Sequence, residues 1–327
     1  MTSFLEWNKR IESLAAWPEE KLASLDIAEL NLFAASGLPG FDPREMLSLL
    51  ETLDRWTTVV ERATNKWLPR FHANPADFGD SLGQFKMMAL ATVLQRDIGV
   101  HYNMPFAEGD YDGRDPRDHF LHGLLTEHGG TCVTMPVLYI AVGRRLGYPL
   151  HLVEACQHSF VRWEGEGERF NIEATSPGFV SHEDDYYKKW PFPISEAEVR
   201  RGVWLRNLTR REEFGTFVGQ RATVFRERLN PYGAVRTSYH AGRLAPRNPT
   251  IHGLWRVNSY LCLAWEATGL ASSGCFHLRD VHLPKPTETW QREAFMYANH
   301  HLNRLKRLYP PNQTLELAEA PAGIQSS

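Results

Sequence analysis

Gly129-Gly130-Thr131-Cys132-Val133-Thr134-Met135-Pro136, followed by Ala155-Cys156-Gln157-His158-Ser159-Phe160 and then Phe170-Asn171-Ile172-Glu173-Ala174-Thr175, is the stretch on which the reading of this chain turns. It sets a thiol, an imidazole and a carboxylate in an order that suits nucleophilic chemistry. The two glycines supply permissive backbone ahead of Thr131, a good helix N-cap, and Val133, Val137, Ile140, Ala141 and Leu146 follow at near-helical spacing until Gly147. Cys132 is therefore expected at or next to a helix N-terminus, where unpaired N–H groups and the helix dipole bring a thiol from ~8.5 down to ~3.5–7.5. Pro136 works against this, since it has no N–H to donate to the Cys132 carbonyl, and a tightened or kinked first turn is expected.

Beyond Pro149 the pattern becomes strand-like. Residues 150–163 are rich in apolar side chains, Glu164-Gly165-Glu166-Gly167-Glu168 reads as a polar turn, and 169–175 returns, which predicts a β-hairpin. Period-two alternation sets Asn171 and Glu173 on one face, opposite Phe170 and Ile172, so either can meet His158 across the hairpin. Cys132, His158 and Glu173 form a candidate triad, with Asn171 the competing partner for the imidazole. A carboxylate would also stabilise the imidazolium; an amide would only hold the ring.

Each of these residues has a plainer reading. A lone cysteine is by default a small apolar core residue, His158 a hydrogen-bonded core histidine, and Glu173 a strand-end carboxylate paired with Arg162 or Arg169. Glycines before Cys132, a helix after it and a histidine on a following strand together move it off that default. Cys156, expected on the same strand face as His158 and two residues from it, is poorly placed to attack and is assigned to packing.

Outward from this centre the chain becomes helical on both sides. From Phe4 to about Arg70 apolar residues recur at helical spacing, as in Met46, Leu47, Leu49, Leu50, Leu53 and Trp56, and residues 71–83 are turn-rich, so 1–78 reads as an N-terminal helical segment. Residues 79–198 form the core, with a surface loop at 110–118 and an acidic, aromatic rim or lid loop from Ser181 through Pro193. Residues 199–327 read as a helical, repeat-like tail of three hairpins, closed by prolines at 244–249 and 308–312, a spacing near two tetratricopeptide periods of ~34 residues. The last dozen residues are expected to fray.

Composition bounds the classes. A chain of 327 residues predicts two or three packed units. With 43% hydrophobic and 23% charged residues it is an ordinary globular chain, and 36 basic against 39 acidic residues argue against a general nucleic-acid surface. No run approaches the ~18 apolar residues of a membrane span, and the start Met1-Thr2-Ser3-Phe4-Leu5-Glu6 lacks the features of a signal peptide, so a cytoplasmic location is expected. Four scattered cysteines, at 132, 156, 262 and 275, read as thiols. His119, His122 and His128 are the nearest approach to a metal set, but without H-E-x-x-H or C-x-x-C no metal is expected, and without a GK[ST] loop or GxGxxG no nucleotide cofactor either.

At three places the chain resembles the bacterial transglutaminase-core branch of the transglutaminase-like superfamily, which shares the papain-type cysteine-protease fold. Gly130-Thr131-Cys132-Val133-Thr134-Met135-Pro136-Val137-Leu138-Tyr139 with Arg144-Arg145-Leu146-Gly147-Tyr148-Pro149-Leu150 is similar to its nucleophile helix and following turn. Gln157-His158-Ser159-Phe160-Val161-Arg162 resembles its histidine strand, and Asn171-Ile172-Glu173-Ala174-Thr175 its acid strand, with glutamate where the family usually has aspartate. Val93-Leu94-Gln95-Arg96-Asp97-Ile98-Gly99-Val100 and Asp115-Pro116-Arg117 extend the resemblance over about 80–190, and the tail fits members with a tetratricopeptide-like segment.

The resemblance implies an α+β fold, a nucleophile helix packed on a small antiparallel sheet with helical flanks. It implies a cysteine-dependent amidase, protease or transglutaminase-type acyltransferase without a cofactor, acting on a peptide, protein or small amide through Cys132, His158 and Glu173 or Asn171. The opposing expectation is a non-catalytic scaffold that uses the helical tail to bind a protein partner.

Overall fold

The computed structural model describes residues 4–104, 113–267, 275–309 and 315–316. Part of the surface loop expected at 110–118 and the fraying expected of the last dozen residues lie outside them. The architecture is α+β: a three-stranded antiparallel sheet in the order β1 (Leu150–Ala155), β2 (His158–Gly165), β3 (Glu168–Ile172), surrounded by helices.

The expected two-stranded hairpin is instead a three-stranded meander. What reads as one long strand, 150–163, is folded at Cys156 and Gln157, so that Ala155 pairs with His158 and Leu150 with Trp163. Gln157 takes φ +59° to make this turn, a conformation that glycine or asparagine usually signals and glutamine does not. Cys156 therefore lies in the turn, off the strand face assigned to it, and packs against the cluster that contains Val153 and Phe160.

β2, as the middle strand, is buried on both faces from His158 to Trp163, and its two sets of alternate residues do different work. Val161 and Trp163 share one face with Leu150, Leu152 and Ile172 and join the main core, which also contains the helix Met135–Arg145. His158, Phe160 and Arg162 alternate with them, and Phe160 packs with Val153, Ala155, Tyr187, Ile194, Trp204 and Leu205 in a separate cluster under the 184–205 segment. That segment turns back along the open edge of β1, where Leu205 N–H donates to Glu154 O at 3.0 Å and Leu208 N–H to Leu152 O at 2.9 Å, closing an edge that would otherwise be free to pair.

Arg162 fastens the covering segment to the sheet. Its buried guanidinium donates to Asn171 Oδ1 (2.8 Å), Leu205 O (2.9 Å) and Asp184 Oδ1 (2.6 Å). Burial works to lower the Arg162 pKa, and the Asp184 charge opposes it.

The flanks are not independent of this centre. Asp26 starts the helix Ile27–Ala35 with a capping box closed by Glu29, and that helix packs against both Met135–Arg145 and the tail helix Arg210–Glu227. Arg221, fully buried, spans the last junction by donating to the carbonyls of Ala34 and Ser36 at 2.9 and 2.8 Å. One hydrophobic cluster accordingly runs from Ile11 through the sheet to Ile251, and a second one joins the helices Pro249–Ala267 and Thr289–Leu308. No helix among the described residues is long and apolar enough to cross a membrane.

Replacing Arg162 by Met roughly keeps the side-chain volume but leaves Asn171 Oδ1 and the Leu205 carbonyl without their donor and Asp184 with only Arg169 and Asn171. The expected loss is about 3 kcal/mol of unfolding free energy, read from urea denaturation monitored by tryptophan fluorescence. A loss below ~0.5 kcal/mol would show that the clamp carries no net stability.

Candidate active site

Cys132 is delivered by a loop held from both sides. Gly129 has φ +88°, and a Cβ on Gly130 would stand 2.6 Å from Met135 Sδ and 2.7 Å from a Leu124 methyl, so both positions need glycine. Gly130 pairs with the segment 101–103 as a short parallel bridge, Asn103 N–H to Gly130 O at 2.8 Å and Gly130 N–H to His101 O at 2.9 Å. Thr131 Oγ1 donates to the Asp118 carbonyl at 2.8 Å, and the Asp118 carboxylate is held by Asn103 and His128, both at 2.9 Å.

The thiol sits in a turn immediately before the helix. Thr134 and Met135 both donate to the Thr131 carbonyl, at 3.1 and 2.9 Å, and the regular helix runs only from Met135 to Arg145. Pro136 is the reason: the next helical bond would have to reach the Cys132 carbonyl from a residue with no N–H. The environment of the thiol works against the lowering expected from a helix start. Burial pushes the Cys132 thiol up to about 11, and the negative charge of Glu173 adds to the rise. A single displaced helix start, already weakened by the proline, does not offset loss of hydration.

His158 and Glu173 are brought together. His158 Nε2 lies 2.8 Å from Glu173 Oε2, with both side chains 3% exposed. In the β2–β3 register Val161 opposes Ile172, so Glu173, just past the strand end, is diagonal to His158 on the same face, within the reach of long side chains. Its Oε1 accepts from Thr175 N–H at 3.1 Å and Thr175 Oγ1 at 2.5 Å, and Oε2 also accepts from the Tyr187 hydroxyl at 3.2 Å. Burial raises the Glu173 pKa, but the His158 bond and charge and the Thr175 bonds outweigh it and hold the carboxyl below its usual range. A ring that donates from Nε2 leaves Nδ1 as its basic nitrogen.

Asn171, the other residue considered for orienting His158, is engaged elsewhere. It accepts from Arg162 and donates to the His182 carbonyl and Asp184, both at 2.9 Å. Among the described residues no hydrogen bond links the Cys132 thiol to His158. Such bonds often close only when substrate is bound. His119, His122 and His128 form no metal-binding group, and no such group of His, Cys, Asp and Glu occurs among the described residues. Cys132, Cys156 and Cys262 are free thiols.

Several residues around the site went unnoticed in the sequence. The Tyr102 hydroxyl lies against the Cys132 backbone N–H, and burial, then the neighbouring thiol, raises its pKa. Gln95, in a π-helical turn at Val93–Asp97, donates to Tyr139 Oη and the Ser176 carbonyl and accepts from Gly178 N–H, which fixes the loop after Glu173. Trp190 sets its edge against His158, ring centroids 4.6 Å apart, and Tyr187 stacks at 6.1 Å. Gln95 lies in a stretch of the family resemblance and Tyr187 and Trp190 in the expected rim or lid loop, and Tyr102 lies outside both.

Residues 48–198 match the transglutaminase-like superfamily, and this part of the chain is a transglutaminase-like domain. The match begins inside the long helix Met46–Ala73, so it takes in a helix that the sequence reading put in the N-terminal segment. No curated protein and no solved structure matches the chain.

A resting thiol of raised pKa makes a direct prediction. Alkylation of Cys132 by iodoacetamide, mapped by mass spectrometry, should still be climbing at pH 10 and at pH 7.5 should run roughly a hundredfold slower than for a free cysteine of pKa ~8.5. A plateau reached below pH 8 would mean a preformed thiolate.

Proposed function

We propose that this chain is a cysteine-dependent enzyme that acts on an amide or peptide bond by acyl transfer or hydrolysis, with Cys132 as nucleophile, His158 as general base and acid, and Glu173 as the group that orients His158. The observation that carries this reading is the 2.8 Å bond between His158 Nε2 and Glu173, formed in a buried setting on a transglutaminase-like domain. A fully saturated buried carboxylate on one ring nitrogen is how a site prepares the other nitrogen to take a proton.

The raised thiol pKa supports one order of events. In the ground state the thiol is neutral, and its proton passes to His158 as Cys132 Sγ attacks the carbonyl carbon. Glu173 stabilises the imidazolium only once that charge exists, so its contribution falls on the transition state. The Cys132 backbone N–H, against which the Tyr102 hydroxyl now rests, is the donor that the developing oxyanion would take up. His158 then returns the proton to the leaving amine as the carbon–nitrogen bond breaks, and water or an amine resolves the thioester.

The same pKa of about 11 favours a second reading, a non-catalytic transglutaminase-fold scaffold in which Cys132 is inert and the helical tail binds a protein partner. Cys132→Ala and His158→Ala should each remove turnover of a peptide pool, scored both for cleavage and for incorporation of a dansylated alkylamine. Glu173→Gln should lower kcat by about 10²-fold or more with little change in KM. No turnover in the wild type by either score would favour the scaffold reading, whereas wild-type rates in the His158→Ala protein would remove His158 from the chemistry.

A further inference from the structure

The turn that covers His158 presents three large aromatic rings to solvent. Tyr186, Trp190 and Phe192 are 37%, 40% and 47% exposed, although the segment that carries them is firmly held. Asp184 is anchored by Arg162 and Arg169 at 2.6 and 2.8 Å. Lys188 and Trp190 N–H donate back to Asp184 O and Tyr186 O, and Ile194 N–H closes the turn on Lys188 O at 2.9 Å. Lys188 is neutralised by Asp185 and Glu196. Tyr186 stacks on His182 at 3.9 Å and lies 5.5 Å from Trp190. Fixed aromatic surface left open to water next to a buried imidazole is costly to hydration and cheap in conformational entropy, the property of a contact surface rather than of a core.

Chemistry tells which part of a substrate meets this ledge. Resting on the acyl-transfer reading above, His158 must bring its proton to the leaving nitrogen, so that nitrogen comes within about 3 Å of the imidazole. Trp190 is already in edge contact with the same ring. The side chain attached one carbon beyond the leaving nitrogen is thereby brought towards Trp190, and Phe192 follows two residues later with its ring exposed. We infer that Trp190 and Phe192 form the subsite for the amine side of the scissile bond, and that the substrate is a peptide whose residue on that side carries an aromatic or large apolar side chain. Trp190 and Phe192 act as specificity-determining residues, and bond making stays with Cys132 and His158.

The test is to digest a proteome-derived peptide pool with the full chain and read the new amino termini by mass spectrometry. Wild type should enrich Phe, Tyr, Trp, Leu and Met at the first position after the cut by roughly tenfold over Gly and Asp. Phe192→Ala, which leaves the His158 contact intact, should reduce that preference, and Trp190→Ala should abolish it, with Trp190→Phe restoring part of it. Preferences on the acyl side should not move. Cleavage without amine-side enrichment, or enrichment unchanged in both alanine variants, overturns this inference and leaves the Cys132–His158 chemistry standing. A pool left uncut by wild type removes the hydrolytic reading together with this one.

Discussion

A carboxylate that is almost wholly out of water has to find a donor for every strong lone pair, and much of the domain is arranged to satisfy that demand at Glu173. Two donors come from Thr175, in the loop that follows; one comes from His158, diagonally across the β2–β3 pair; one comes from Tyr187, in the covering segment. Each donor in turn needs its own support. The loop is pinned by Gln95, the covering segment by Arg162, and the diagonal is set by the register of β3 on β2. Because the negative charge is fixed and buried, it acts strongly on its surroundings: it raises the pKa of Cys132 and adds to the rise in Tyr187, and it stands ready to stabilise positive charge on His158.

Much of this was legible in the chain before folding. The glycine pair, the helix after Cys132, the histidine strand and the face shared by Asn171 and Glu173 all follow from spacing, and so does the disturbance at Pro136. The division of labour between Asn171 and Glu173 was not legible, because it depends on Arg162, which takes the amide for itself and leaves His158 to the acid. Nor was the turn at Cys156 and Gln157, since glutamine in the left-handed region carries no turn signature. Missing that turn made two strands look like one and misplaced Cys156. The opposing influences on the thiol were hidden for a related reason: a helix dipole can be inferred locally, whereas burial and the position of Glu173 are tertiary facts.

The two electrostatic observations at the site constrain each other. A depressed carboxyl pKa at Glu173 and a raised thiol pKa at Cys132 mean that the resting site keeps a single negative charge. Two anions so placed would repel across a region of low dielectric. In the proposed reaction the thiol proton leaves only as positive charge arrives on the imidazole, so the second negative charge is offset as it forms and the net charge of the site does not change.

The bond from Arg221 to Ala34 and Ser36 has a consequence for how the protein comes into being. It joins residues 187 and 185 positions apart, and the helix Ile27–Ala35 lies between the centre of the domain and the tail helix that covers it. On a ribosome the N-terminal helices emerge early, with apolar faces whose partners have not yet been made. Not until more than two-thirds of the chain has been translated does the helix Arg210–Glu227 exist to receive them. Closure through such distant contacts is slow and late, so the part of the protein recognisable by kinship is shorter than the part that has to be synthesised before it can stay folded.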